Sequence, residues 1–188
     1  MDTSEVRSRI VATADGLYNA KGIQSVGMDE LRTAAGVSLK KLYQEFPSKS
    51  SIVMAVLERR HESWTRGLDS TVRTVKNPRD RLLAIFDYLS QWFCQDTFRG
   101  CGFINSFAEL GAVSPEVAEY ARKHKESFQA YVASLANDAG APPQLAAQLA
   151  ILAEGAQTTA AIAGTPEAAG QAREAAKVLI DATLGTGL

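Results

Sequence analysis

The sequence predicts an all-α chain of about nine helices, and three observations predict it. No stretch sustains the alternation of β-branched and polar residues that marks a strand. Apolar residues instead recur at helical spacing in segment after segment, and glycine or proline breaks separate the segments. The 188 residues suffice for one good core, or for a small module joined to a larger domain.

The first helix is expected from about Ser4 to Ala20, with Val6, Ile10, Ala14 and Leu17 on one face. Gly22 ends it, as a residue free to adopt positive φ. A second helix covers Met28–Ala35 and a third Ser38–Phe46. Gly36 lies between them, where two helices must turn within about three or four residues. Leu31, Ala34 and Val37 have the spacing to pack the second helix on the third, and Ala35 is small enough to let the backbones approach. Leu42 and Phe46 give the third helix an inward stripe.

Pro47 and Ser48 stop the third helix and let a long fourth begin near Lys49, running to about Val75, where Asn77–Pro78 breaks it. A fifth runs from Arg79 to Gln95. Arg99-Gly100-Cys101-Gly102 makes a turn before a short sixth helix, Phe103–Leu110. Ser114 caps a seventh, with Pro115 in its first turn and Glu116 near its positive end, and this helix extends to about Ala139. After Ala141-Pro142-Pro143 come two alanine-rich helices, roughly Pro143–Ala163 and Pro166–Leu184.

Composition narrows the function classes. Hydrophobic residues make up 46% of the chain, no apolar run approaches the ~20 residues of a membrane span, and mean hydropathy is −0.10. The start, Met1–Arg9, is polar and lacks the apolar core of a signal peptide, so a cytoplasmic location is expected. Cys94 and Cys101 make no disulfide framework, and His61 and His124 lack metal-ligand spacing. No metal and no cofactor is expected. Paired carboxylates, a Ser/His/Asp set and a phosphate-cradling glycine loop are all missing, which argues against an enzyme.

Charge is unevenly spread. Residues 1–60 hold nine Lys/Arg against seven Asp/Glu, while the rest holds eleven against fourteen. Five basic residues fall between Ser38 and Arg60, against only Glu45 and Glu58. A basic end on an acidic body suits a small surface facing nucleic acid.

With Leu42 and Phe46 turned inward, Ser38, Leu39, Lys40, Lys41, Tyr43 and Gln44 are left nearer the exposed side of the third helix. Such a helix can enter a major groove, its lysines reaching phosphates or guanine acceptors and its hydroxyls bonding phosphate or base edges. An ordinary helical hairpin with a solvated charged face has the same spacing.

Fixed spacings carry a resemblance beyond that. Residues 4 to about 55 resemble the DNA-binding domain of TetR-type regulators, through Ala34-Ala35-Gly36-Val37-Ser38, Leu42-Tyr43-Gln44-Glu45-Phe46 and Pro47-Ser48-Lys49. The resemblance implies a three-helix helix-turn-helix DNA-binding domain over residues 1–48 and a ligand-sensing, dimerising helical domain over 49–188. It implies that Met28, Ser38, Leu39, Lys40, Lys41 and Tyr43 contact operator DNA and that Lys49 meets a phosphate. Where the family usually has a capping threonine or serine that also touches phosphate, this chain has Gly27.

Gly100-Cys101-Gly102-Phe103-Ile104-Asn105 resembles a stretch that lies beside the ligand cavity in one subset of the family. Trp64, Phe86, Trp92, Phe93, Phe103 and Phe107, with Phe98 nearby, would then line a mostly apolar effector pocket, with Cys101 and Asn105 as polar contacts. A plain aromatic core has the same spacing. For Cys101 a buried, inert role is favoured over a redox role, no neighbour in sequence clearly lowering its thiol pKa. The last two helices, with Leu145, Leu149, Leu152, Ile162, Val178, Leu179, Ile180 and Leu184 among alanines, suit a four-helix homodimer interface. The implied function is a ligand-responsive regulator, in the first instance a repressor released from a palindromic operator by a small apolar effector. An activator, or a relative acting through protein contacts without DNA, is the alternative.

Overall fold

The computed structural model describes residues 3–185. Among the described residues there are nine helices and no strand: α1 (Thr3–Lys21), α2 (Met28–Ala34), α3 (Leu39–Glu45), α4 (Lys49–Arg73), α5 (Pro78–Phe93), α6 (Gly102–Leu110), α7 (Pro115–Asp138), α8 (Pro143–Ala163) and α9 (Glu167–Leu184). The all-helical expectation holds. Its fourth and fifth helices overshoot by two residues each, because the last residues close tighter turns. Val75 N–H donates to the Val72 carbonyl, and Gln95 N–H to that of Trp92.

Side-chain caps set the starts. Ser38 Oγ accepts the Lys41 N–H at 3.1 Å to open α3. Ser48 and Ser51 cap each other reciprocally before α4, each hydroxyl oxygen accepting the other's backbone N–H at 3.1–3.2 Å. Asn77 accepts the Arg79 N–H at 3.0 Å, with Pro78 in the first turn of α5.

The chain packs as two compact units. One comprises the chain up to Glu62 together with Gly102–Ala121; the other comprises Ser63–Cys101 and Arg122 onward. This packing division falls inside the fourth helix, between Glu62 and Ser63, and groups α6 with the N-terminal helices.

In the first unit α1 buries Val6, Ile10 and Ala14 as expected, and also Val11 and Tyr18. Leu17 is only half-buried. Leu31 on α2 and Leu42 and Phe46 around α3 are at most 1% exposed, each apolar burial being worth about 1.5–3 kcal/mol. Ala35, not Ala34, faces this core, and Ala34 is exposed. At 3.6 residues per turn, a residue four along from Leu31 lies closer to its meridian than one three along. Gly36 then takes φ +63°, and the Gly36 and Val37 N–H groups close the end of α2 on the Thr33 and Arg32 carbonyls. Between Ala34 and Leu39 the chain has turned a corner with its apolar faces inside.

The second unit centres on α5, α8 and α9, with Phe86 and Leu89 meeting Leu149, Ala153, Ala169 and Ile180 in one buried cluster. Alanines at Ala153, Ala160, Ala169 and Ala176 let the helices approach closely, and Phe128 and Val132 from α7 complete the core. Arg173 clamps α9 to Asp87 of α5 at 2.7 Å.

Candidate nucleic-acid interface and effector site

The outer face of α3 is built by the burial of its inner one. With Leu42 and Phe46 fully buried, Leu39 (39% exposed) and Tyr43 (46%) remain open along the edge of this stripe, and Lys40 is exposed farther round the helix. Lys41 is half-buried and pairs with Glu45 one turn on, Nζ to Oε1 2.7 Å. Ser38 spends a lone pair on its cap, which leaves its hydroxyl hydrogen able to donate outward.

Gly27 caps α2 with extended backbone, φ −83° and ψ 161°, and no side-chain bond, so the second helix opens without a hydroxyl. Met28, half-buried, is its first residue. Lys49, the first residue of α4, is also half-buried, and its Nζ donates to the Gln24 carbonyl at 3.4 Å. Burial pushes its pKa down, and the charge of Glu109 partly offsets this. All seven residues expected to meet DNA fall in the first unit, on α2, α3 and the start of α4 or capping them.

Two groups absent from the sequence reading shape this face. Arg7 of α1 places its guanidinium 4.0 Å from the centroid of the Phe46 ring and donates to the Glu45 carbonyl at 2.8 Å, closing the negative end of α3. Glu109 of α6 accepts the Ile23 and Gln24 backbone N–H groups at 3.1 and 3.0 Å. Neither has a local sequence signal, since the partners lie 38 and about 85 residues away.

The residues expected around an effector divide between the units. In the second, Trp64 meets Tyr88, His124 and Phe128 edge-on, with centroids 5.2–6.0 Å apart. Phe86 is wholly buried in the core. Phe93 and Phe98 pack at 4.7 Å, with Trp92 edge-on to Phe98 at 5.2 Å. Phe93 and Phe98, with Ala160, Ala161 and Pro166, line a half-open cavity of about 350 Å³ whose polar groups are Gln95, Arg99 and Thr165.

Cys101 is buried, and its Sγ lies 3.2 Å from Lys125 Nζ, which also pairs with Glu154 at 2.5 Å. An ammonium neighbour that sequence spacing did not reveal thus stands beside the thiol. In the first unit, Phe103 stacks on Tyr120 with centroids 6.2 Å apart, Phe107 is 54% exposed, and Asn105 edges a cavity of about 20 Å³ beside Tyr18.

Known proteins share this architecture. The family described as bacterial regulatory proteins, tetR family, matches residues 10–56, and the tetracyclin repressor-like C-terminal domain matches residues 78–176. The chain belongs to the TetR family. The first match, to a family of bacterial regulatory proteins, covers its helix-turn-helix region, and the second covers its helical body.

Among curated relatives, the transcriptional repressor NemR of Escherichia coli is 30% identical over 115 residues, 60% of this chain and 58% of NemR. The transcriptional activator FasR of Mycolicibacterium smegmatis is 35% identical over 89 residues, 45% of this chain and 41% of FasR. The chain thus spans about half the length of these relatives. Over whole folds it superposes on a TetR-family regulator from Streptomyces coelicolor with TM-score 0.87 at 23% identity, covering 96% of this chain and 97% of the other. The reduced form of E. coli NemR superposes with TM-score 0.79 at 26% identity, covering 93% and 96%. No helix among the described residues is long and apolar enough to cross a membrane.

Proposed function

We propose that this TetR-family chain is a ligand-responsive repressor that binds a palindromic operator as a homodimer and is released by a small, largely apolar effector. The observation that carries the DNA-binding half is the outer face of α3. Leu39, Lys40 and Tyr43 stand out from a corner whose other face is sealed by Leu31, Leu42 and Phe46. A short helix so presented fits a major groove, with Ser38 and Lys41 flanking it and Met28 and Lys49 toward the backbone. NemR, named a repressor, supports the sign of regulation; FasR, named an activator, supports the second reading.

Dimerisation is supported by Ile151 and Ile162 on α8 and Val178 on α9, which are 67–84% exposed. Two recognition helices about one DNA turn apart, ~34–36 Å, need such a pairing. The cavity beside Phe93 and Phe98 supports an effector with an apolar body, and an effector acts by binding the released state more tightly.

Selection from a random duplex pool, followed by gel-shift titration, tests the reading. Expected is a two-fold symmetric consensus bound by a dimer, with binding abolished by the double variant Lys40→Ala/Lys41→Ala. A well-folded dimer that enriches no sequence would overturn it. Reporter transcription from the selected site then separates repressor from activator.

A further inference from the structure

Glu109 stands at the end of α6, 85 residues from the α1–α2 corner, yet it makes a closed set of bonds with that corner. Its Oε1 accepts the Ile23 N–H at 3.1 Å and its Oε2 the Gln24 N–H at 3.0 Å. In return the Gln24 side-chain amide donates to the Glu109 carbonyl at 2.6 Å. The Gln24 carbonyl in turn accepts from Lys49 Nζ, whose charge also feels Glu109. Four groups therefore tie α6, the α1–α2 corner and the first residue of α4 into one loop of bonds.

Backbone geometry makes room for this. A Cβ on Gly22 would sit 3.2–3.3 Å from both Glu109 carboxylate oxygens, and Gly22 has φ +81°. The residue that ends α1 thus also admits the carboxylate. Charge-assisted bonds from two consecutive backbone N–H groups to one carboxylate are among the stronger hydrogen bonds and fix direction as well as distance. Four residues beyond Gln24 begins α2, and Lys49 begins α4, so the clamp adjoins the starts of two of the elements expected at the operator.

We propose that Glu109 is a positioning residue for operator binding: it touches no DNA, and it sets the α1–α2 corner and Lys49 in the geometry that DNA requires. The inference rests on the DNA-binding reading above and adds a route by which a movement of α6 alters the head. Loss of the clamp leaves α2 and α3 folded, because their core of Leu31, Leu42 and Phe46 does not include Glu109.

The test compares the full-length wild type with Glu109→Gln, Glu109→Ala and Lys49→Ala. Amide hydrogen exchange across residues 22–25 is expected to accelerate at least tenfold in Glu109→Ala, less in Glu109→Gln, and not at Leu42. Affinity for the sequence selected by the wild type should fall about tenfold in Glu109→Ala, and the slope of log affinity against log salt should fall with it, because Lys49 loses its place at the phosphate while a carboxylate neutralises none itself. Lys49→Ala, removing a phosphate partner, should lower that slope by about one.

Equal exchange in wild type and Glu109→Ala overturns the clamp. Unchanged affinity, or an unchanged salt slope in Glu109→Ala, overturns the positioning role. A variant whose exchange rises throughout has merely lost its fold, and Glu109→Gln, keeping one acceptor oxygen, then decides by the same two readouts. A wild type that selects no DNA defeats the parent reading and the positioning role with it, while the exchange result still judges the clamp.

Discussion

Arg7 and Phe46 hold the end of α3 from behind: the guanidinium carbon lies 4.0 Å from the ring centroid, and Nη1 reaches the Glu45 carbonyl at 2.8 Å. One side chain of α1 thus covers the last ring of the α3 core and satisfies a carbonyl at that helix's end. Arg7→Ala removes both and is expected to destabilise the chain by roughly 1–2 kcal/mol. Arg7→Lys keeps the charge but not the planar stacking, and should recover less than half. Denaturant unfolding measures this, and equal midpoints for wild type and Arg7→Ala would dismiss the contact as incidental.

Lys40 and Lys41 should behave differently off DNA and alike on it. Lys40 is exposed, whereas Lys41 holds Glu45 one turn away at 2.7 Å. Lys41→Ala therefore costs a few tenths of a kcal/mol of stability, the usual worth of such a pair, and Lys40→Ala about nothing. On operator DNA each lysine that meets a phosphate lowers the salt slope by about one when removed. A titration series between low and moderate salt reads both slopes.

The helix pattern was legible because it is local. Periodicity and caps placed nearly every end within two residues, and Ser38, Asn77, Gly22 and Gly36 punctuate the structure where their chemistry says they should. Ala34 was misassigned to the corner core because a three-residue and a four-residue step differ by one side chain, and only packing chose Ala35. The grouping of α6 with the N-terminal helices was not legible at all. It depends on contacts such as Glu109 with Gln24, and a lone glutamate in a short helix carries no mark of a partner so distant in sequence. Lys125 beside Cys101 was hidden for the same reason, across 24 residues and a change of helix.

Tyrosine burial sets an alkaline limit on the fold. Burial raises the Tyr18, Tyr88 and Tyr131 phenols from 10.0 to about 12, and Asp69 adds to the rise at Tyr131. Below pH 10 the phenols are protonated whether the chain is folded or not. Between pH 10 and 12 the unfolded chain releases these protons first, so stability falls as pH rises through that window. For Tyr18 the loss is on the order of 2 kcal/mol. Its hydroxyl is buried with no hydrogen-bond partner among the described residues, so Tyr18→Phe should be neutral or mildly stabilising at pH 7 and should move the alkaline unfolding midpoint upward. Absorbance titration near 295 nm with parallel circular dichroism tests this; phenols that all ionise before any helix is lost would refute it.

The exposed isoleucines give the last prediction. Ile151 and Ile162 are eleven residues apart, three helical turns, and so share one face of α8 at 71% and 84% exposure. Val178 on α9 is 67% exposed. In a two-fold interface every residue is used twice, so burying one such side chain contributes about 1.5–3 kcal/mol in each protomer and about double in the pair. A charge placed there is repeated in the same way, and two carboxylates would meet near the axis. Ile162→Glu is therefore expected to leave a folded monomer of 20.2 kDa, with helical content unchanged and operator affinity reduced at least a hundredfold. Sedimentation velocity distinguishes the outcomes. A wild type that sediments as a monomer, or an Ile162→Glu chain that remains a dimer, would show that this face is not where two copies meet.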